Sequence, residues 1–225
     1  MMIRGVQIRR RNPDGPPRRA LCLALAGLWL ALSVGAGPAR AEGSAAKFIR
    51  LLGDTAIREL APNDITEQQR ETKFRELLHE NFDVPRITRF ALGRYARRVS
   101  KDELKDFAAL YEDLTVLTYA QLFATYAGQG FKVTKELGAP GDKYLVVVSE
   151  ISNPDGSFAA RLDWQLLVKK SGFAVVDIRV EGISMAIAQR DEFTAVLDRN
   201  GGDMPAFLGE LADKVRKLRD ERKAS

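Results

Sequence analysis

The segment that decides the fold runs from Phe158 to Lys169 and reads FAARLDWQLLVK. Successive side chains of a β-strand point to opposite faces of the sheet, so an apolar residue at every second position indicates a strand with one buried face. Polar and charged residues occupy most of the positions between. We expect the buried face to carry Phe158, Ala160, Leu162, Trp164, Leu166 and Val168, and the other face to carry Arg161, Asp163, Gln165 and Lys169.

Three further strands are predicted around this segment, over residues 131–137, 144–151 and 173–180. Turn sequences separate the four strands: Pro140-Gly141-Asp142, Asn153-Pro154-Asp155-Gly156 and Ser171-Gly172. Proline, glycine, asparagine and aspartate favour tight turns, and tight turns join antiparallel neighbours. The pattern therefore predicts a four-stranded antiparallel meander with one packed face.

Apolar residues at helical spacing precede and follow this sheet. Thr66 is a candidate N-cap, and Ser100 with Glu103 reads as a capping box. Helices are predicted over residues 45–60, 66–82, from Pro85 onward, 101–127, 184–199 and 204–222. The fold class is therefore α+β, with several helices packed on one face of a curved four-stranded antiparallel sheet. The wide apolar stripes are compatible either with a solid core or with a cavity between the two layers.

The first 41 residues have the order of a cleavable signal peptide. Arginines come first, an apolar run from Ala20 to Ala36 follows, and Ala39-Arg40-Ala41 supplies small residues at the cleavage site. An uncleaved membrane anchor is the alternative, but the run is slightly short for a membrane span. We predict a signal peptide over residues 1–41 and a single domain over residues 42–225. The export route stays open.

Removal of this leader changes the charge and the chemistry of the chain. The whole sequence has 35 basic and 30 acidic residues, and the leader holds seven arginines and one aspartate. The remainder has 28 basic and 29 acidic residues, so net charge gives no reason to expect nucleic-acid binding. The one cysteine, Cys22, also lies in the leader, which excludes cysteine chemistry and disulfides from the predicted domain.

No residue pattern indicates a catalytic or metal site. His79 is the one histidine and is expected on the surface of a helix. The sequence has neither a nucleophile-elbow motif nor a phosphate-binding glycine loop. Asp163 and Asp177 lie in strands and could approach each other across a hairpin. We interpret them as part of a polar outer sheet face with Arg161 and Arg179; a buried general base, as in steroid-isomerase-like folds, is the alternative.

Several short motifs resemble the MlaC family, also called the toluene-tolerance family. They are Val180-Glu181-Gly182-Ile183-Ser184-Met185, Gln189-Arg190-Asp191-Glu192-Phe193, Asn200-Gly201-Gly202-Asp203, Leu162-Asp163-Trp164, Asn81-Phe82-Asp83 before Ile87 and Phe90, and the helix from Phe107 to Phe123. Each motif is short, but their order and spacing extend over the whole predicted domain. The sequence is therefore similar to periplasmic phospholipid-binding proteins of Gram-negative bacteria.

The resemblance implies a lipid carrier rather than an enzyme. Such proteins shuttle phospholipid between an outer-membrane lipoprotein–porin complex and an inner-membrane Mla-type ABC transporter, with the tails in a cavity between helices and sheet. It implies a periplasmic monomer with no cofactor, no metal, no nucleic-acid partner and phospholipid as cargo. From pattern and resemblance together, we expect tail contacts from Phe74, Leu78, Phe82, Phe90, Leu110, Leu114, Leu117, Phe123, Val146, Val148, Leu162, Trp164, Leu166 and Val175.

Three alternatives stay open at this stage. A structural adaptor would have a filled core and would form a stable complex with a partner. A hopanoid-associated branch, HpnM, is similar and would carry a different lipid. An isomerase-like enzyme would use Asp163 or Asp177 as a buried base.

Overall fold

The computed structural model describes residues 44–126 and 128–223. The predicted signal peptide and Cys22 lie outside these residues, so the domain division stays a prediction. The helices and strands, in chain order, are α1 (Ser44–Leu60), α2 (Glu67–Asn81), α3 (Val84–Ala91), α4 (Lys101–Tyr119), β1 (Gly130–Leu137), β2 (Tyr144–Ser152), β3 (Phe158–Lys169), β4 (Gly172–Val180), β5 (Ile183–Ser184), α5 (Met185–Arg199) and α6 (Met204–Lys223). Segments of 3₁₀ helix, Gly93–Arg97 and Ala120–Thr125, follow α3 and α4.

The strands pair in sequence order as an antiparallel meander, which confirms the α+β class. The structure adds a fifth strand, β5, whose two residues pair with Arg179 and Val180. Glu181 and Gly182 join β4 to β5 with φ values of 50° and 83°, as a tight hairpin turn requires. The Glu181 carboxylate accepts a hydrogen bond from the backbone N–H of Arg161, which offsets the unfavourable backbone conformation of a non-glycine residue.

A register shift in β1 changes which side chains face the helices. Phe131 and Val133 pair with Ile151 and Ser149, but beyond Val133 the pairing moves by one residue. Leu137 consequently lies on the opposite face from Phe131, whereas uninterrupted alternation predicts one common face. The shift ends the apolar inner face of β1 near the middle of the strand.

Helix starts follow the local sequence closely. Thr66 and Gln69 form a capping box on α2, and Ser100 and Glu103 form the predicted one on α4. Helix α4 is shorter than expected, because the chain tightens into a 3₁₀ segment at Ala120. Within the described part of the chain, no helix has the length and apolarity of a membrane span.

Two separate apolar cores hold the fold together. The helical core joins the four helices α3, α4, α5 and α6. At its centre is a cluster of aromatic rings, in which the Phe107 ring centroid is 5.6 Å from that of Phe193 and 5.8 Å from that of Phe207. The sheet core joins α1 to the inner face of the sheet. Its fully buried members are Ala45, Ile49, Val147, Leu166 and Val175.

Helix α1 is fixed at both ends by polar contacts. At its N-terminus, the backbone N–H of Ala46 donates to the Glu136 carboxylate at 2.8 Å. At its C-terminus, the buried guanidinium of Arg70 donates to the backbone carbonyls of Leu60 and Pro62, both at 2.9 Å. These contacts satisfy backbone groups that a helix end leaves without a partner, and each places the opposite charge at the end of the helix dipole.

We expect Arg70→Met to lower the free energy of unfolding by about 2–4 kcal/mol, since it removes two charged hydrogen bonds and leaves buried carbonyls without donors. Urea unfolding measures the change. Arg89→Met is the matched control, because Arg89 is exposed on α3, and its effect should stay within about 0.5 kcal/mol. Equal losses for the two variants would contradict the role assigned to Arg70.

Candidate functional site

A cavity of about 570 Å³ lies between the sheet and helices α1, α2, α4 and α5. Its volume falls in the range of roughly 300–1,000 Å³ that is typical of small-molecule binding sites. Leu122, in the 3₁₀ segment after α4, lines the cavity although it is 64% exposed, so the cavity opens to solvent beside this segment.

Helices α1 and α2 supply one side of the cavity wall. Both present residues at three- and four-residue spacing, which places them along one helix face. The contributing residues are Leu52, Gly53, Ala56, Ile57 and Leu60 from α1, and Phe74, Leu77 and Leu78 from α2, with Phe82 directly after it.

The inner face of the sheet supplies the opposite side. In β3 the predicted alternation holds from Ala160 to Leu166, whereas Phe158 and Val168, also expected on the buried face, are 60% and 38% exposed at the two ends of the strand. Leu162 and Trp164 pair across the sheet with Ser149 and Val147 of β2. The Trp164 indole N–H donates to the Ser149 hydroxyl at 2.9 Å, which fixes the orientation of the ring. The strand residues that line the cavity include Phe131, Ile151, Ala160, Leu162, Trp164, Ile178 and Val180.

Helix α4 separates the cavity from the helical core. Its leucine and phenylalanine side chains pack into the helical core, whereas Tyr111, Thr115 and Tyr119, spaced four residues apart, line the cavity. Tyr111 belongs to both, since its ring also contacts Phe107 and Phe193. Burial raises the pKa of Tyr111 and of Tyr119 above the ordinary range of tyrosine. Both phenols are therefore neutral at physiological pH. The Tyr111 hydroxyl donates to the side-chain oxygen of Gln189 on α5.

Asp177 is the more buried of two carboxylates in the cavity wall, with 9% of its surface exposed. It accepts hydrogen bonds from the Ser184 hydroxyl at 2.6 Å and from the backbone N–H of Ala186 at 3.0 Å. Ser184 is in turn the N-cap of α5 and accepts from the Ile187 N–H. Asp177 therefore holds the positive end of the α5 dipole against the sheet, and both of its oxygens are engaged.

Glu112 is the second carboxylate of the wall, and its partners lie on α2. The Arg75 guanidinium donates to one Glu112 oxygen, and the His79 Nε2 lies 3.1 Å from the same atom. Arg75 also donates to Asp113 at 2.7 Å. Glu112 thus joins α2 to α4, and His79 lies on the surface, as the sequence predicts.

The lining is therefore predominantly apolar. Among the described side chains that line the cavity, none is lysine or arginine, and the carboxylates of Glu112 and Asp177 have partners in the protein. The described residues contain no group of histidine, cysteine, aspartate and glutamate side chains that could hold a metal ion.

The structure brings six of the fourteen predicted tail-contact residues into the cavity wall. They are Phe74, Leu78, Phe82, Phe123, Leu162 and Trp164. The other eight lie elsewhere, for three physical reasons.

Five of these eight fill the two cores. Leu110, Leu114 and Leu117 lie on the face of α4 that packs into the helical core, away from the cavity. Leu166 and Val175 lie on the inner sheet face, but they are fully buried in the sheet core, to which α1 contributes. A helix or strand that is apolar on one side does not reveal whether that side meets another side chain or empty space.

Val146 and Val148 lie on the opposite face of β2 from Val147, which packs into the sheet core. Residues 145–148 read Leu-Val-Val-Val, so no alternation distinguishes the two faces of this strand. Phe90 lies on the surface of α3, where the Arg190 guanidinium stacks on its ring at 5.2 Å from the centroid.

The two aspartates also differ in position. Asp163 lies on the outer face and accepts a hydrogen bond from Arg161 at 2.8 Å, which agrees with the expected polar face. Asp177 does not lie on an exposed outer face, because the start of α5 covers it.

The sequence reasoning missed the α1 wall and the tyrosine face of α4. The spacing of Gly53, Ala56, Ile57 and Leu60 marks one helix face, but small residues carry a weak hydrophobic signal. The four-residue spacing of Tyr111, Thr115 and Tyr119 was available as well. Because these three residues are partly polar, the pattern indicates the edge of a helix face where core meets solvent, and it does not indicate a cavity wall.

Comparison of the sequence and of the structure with known proteins identifies a family and a protein of the same fold. The sequence model described as MlaC protein matches residues 52–213. A phospholipid-binding protein from Ralstonia solanacearum, solved in complex with a phospholipid at 1.53 Å, superimposes with a TM-score of 0.72 at 19% sequence identity. The match covers 79% of this chain and 99% of that one, and shows a shared fold. A sequence comparison with curated proteins finds no match.

We expect Asp177→Asn to lower the free energy of unfolding by about 1–2 kcal/mol, since the amide can keep one accepted hydrogen bond but loses the charge at the start of α5. Asp163→Asn changes an exposed ion pair on the neighbouring strand and should cost less than about 0.5 kcal/mol. Thermal or urea unfolding compares the two. Equal effects would contradict the anchoring role of Asp177.

The buried tyrosines predict a loss of stability at alkaline pH. Because burial raises the pKa of Tyr111, the folded protein keeps the phenol proton after the unfolded chain has lost it, above about pH 10. The unfolded state then binds fewer protons, so stability falls as pH rises, by up to about 1.4 kcal/mol per pH unit for this group. Tyr111→Phe should flatten this fall. Parallel stability curves for the variant and the wild type would contradict the assignment.

Proposed function

This chain belongs to the MlaC family, and we propose that it binds phospholipid in the cavity and carries it through water from one membrane to another. The observation that carries the proposal is the predominantly apolar wall, whose two carboxylates, Glu112 and Asp177, already have partners within the protein. Such a wall offers cargo a dry surface and little directional bonding. The phospholipid found in the Ralstonia solanacearum protein of the same fold supports this cargo class.

The free energy of a lipid tail in water explains why an apolar cavity suits a carrier. Each methylene removed from water contributes about 0.8 kcal/mol, so an acyl chain of about 15 methylenes costs roughly 12 kcal/mol to expose. Spontaneous release into water is therefore slow. Loading and unloading must take place where the cavity opening meets a partner that accepts the tail directly.

The lipid headgroup would remain outside the cavity, near the opening beside Leu122. The described lining has no cation to neutralise a phosphate, and its two carboxylates would repel one. Hydration of the headgroup at the opening costs nothing, whereas its burial would require charged partners that this wall does not supply.

The finer assignment follows the family. The proposed route runs in the periplasm, between an outer-membrane lipoprotein–porin complex and an Mla-type ABC transporter of the inner membrane. The predicted signal peptide over residues 1–41 would deliver the chain to that compartment. No catalytic step is part of this role, and the engagement of both Asp177 oxygens at the start of α5 favours anchoring over general-base chemistry.

Mass spectrometry of lipid extracted from the gently purified protein tests the proposal. Phospholipid in near-stoichiometric amount is the expected result. A polycyclic triterpenoid instead would favour the hopanoid-associated branch. Absence of any bound lipid, together with failure to take up lipid from phospholipid vesicles, would refute a carrier function.

A charge placed inside the cavity should displace the cargo. Ile57→Glu puts a carboxylate on the cavity face of α1, and burial of an unpaired charge against acyl chains is costly, so bound phospholipid should fall at least about tenfold. Leu51→Glu is the matched control on the same helix, since Leu51 is 54% exposed. Circular dichroism establishes that both variants are folded. Equal lipid content in the two would argue against this cavity as the binding site.

A further inference from the structure

Gly53 and Phe131 meet in the cavity wall at a distance that leaves no room for another side chain. A Cβ atom on Gly53 would lie 2.5 Å from Cδ1 and 3.0 Å from Cζ of the Phe131 ring, and closer still to Cε1. Ordinary carbon–carbon contacts are about 3.5–4.0 Å. The ring therefore rests on bare helix backbone, a position that only glycine permits.

The neighbours of this contact fix both partners. Helix α1 cannot easily retreat, because Glu136 holds its N-terminus and Arg70 holds its C-terminus. The backbone of Phe131 is paired with Ile151 of β2 and cannot move without breaking the sheet.

The Phe131 ring also contacts a second fixed side chain. Phe131 meets the Trp164 ring edge to face, with the centroids 6.3 Å apart, and the hydrogen bond to Ser149 holds Trp164 in place. Any group added at position 53 must therefore displace the Phe131 ring into the cavity.

From this geometry we infer that the Gly53–Phe131 contact sets the bulk of the acyl chain that the cavity admits. The inference rests on the proposed function and adds a selectivity to it. With glycine at position 53, the Phe131 ring packs directly on the backbone of α1, which leaves the cavity at its largest volume. A larger residue there would reduce the volume of the cavity, so that fewer methylenes fit and shorter tails are selected. A smaller residue at position 131 would enlarge the cavity and admit longer tails.

The test measures which lipids the full-length protein takes up from an equimolar mixture of phosphatidylglycerols that differ only in acyl chain length, by native mass spectrometry. Gly53→Ala should shift the bound population toward shorter chains, by about fourfold in affinity for each methylene that no longer fits. Phe131→Val should shift it toward longer chains. The double variant should return toward the wild-type distribution, since the added methyl group no longer meets a ring.

Gly209→Ala is the matched control. Gly209 lies inside α6, and a Cβ there would meet no atom within 4 Å, so this variant has the same gain in helix propensity without a contact in the cavity. Its lipid distribution should equal that of the wild type.

The inference is overturned if Gly53→Ala and Gly209→Ala bind the same distribution of lipids. If Gly53→Ala does not fold, Phe131→Val decides alone, and an unchanged distribution for that variant overturns the inference. Failure of the wild type and of Gly209→Ala to take up any lipid would instead refute the proposed function. The two failures are therefore distinguishable.

Discussion

An apolar cavity of about 570 Å³ is a constraint on the whole fold, because its walls would gain burial by collapsing together. Cavities left in protein cores cost about 24 cal/mol per Å³, so a void of this size, if left dry and empty, would cost roughly 10 kcal/mol or more. That amount is comparable to the net stability of a typical domain. The fold must therefore hold the walls apart by contacts made elsewhere, and cargo in the cavity would add stability.

The two cores and the polar anchors do this in different ways. The helical core holds the face of α4 that points away from the cavity, through Phe107 and its ring contacts. The tyrosine face of α4 therefore cannot move into the cavity. On the other side, α1 covers the sheet at Ile49 and is held at each end by Glu136 and Arg70. Asp177 completes the frame by fixing the start of α5.

Much of this architecture could be predicted from local sequence signals. The alternation in β3 determined its buried face, and capping residues such as Ser100 located the helix starts. Local sequence signals did not predict the role of a residue whose partner is distant in the sequence. Nothing near Arg70 in sequence indicates that it binds the end of α1, and nothing near Asp177 indicates that α5 covers it. The sequence did not determine which face of β2 is buried, because consecutive valines show no alternation between apolar and polar residues.

The site was harder to predict than the fold because a cavity wall and a core have the same composition. Leu162 and Leu166 occupy equivalent positions in the alternation of β3, yet Leu162 lines the cavity and Leu166 is buried in the sheet core with α1 residues. What distinguishes them is the path of α1 over the sheet, which tertiary contacts determine. The same path brings Gly53 against Phe131. Because the described lining has no lysine or arginine that could bind a headgroup, a carrier of the proposed kind would distinguish its cargo by tail bulk, which the packing of α1 on the sheet would control.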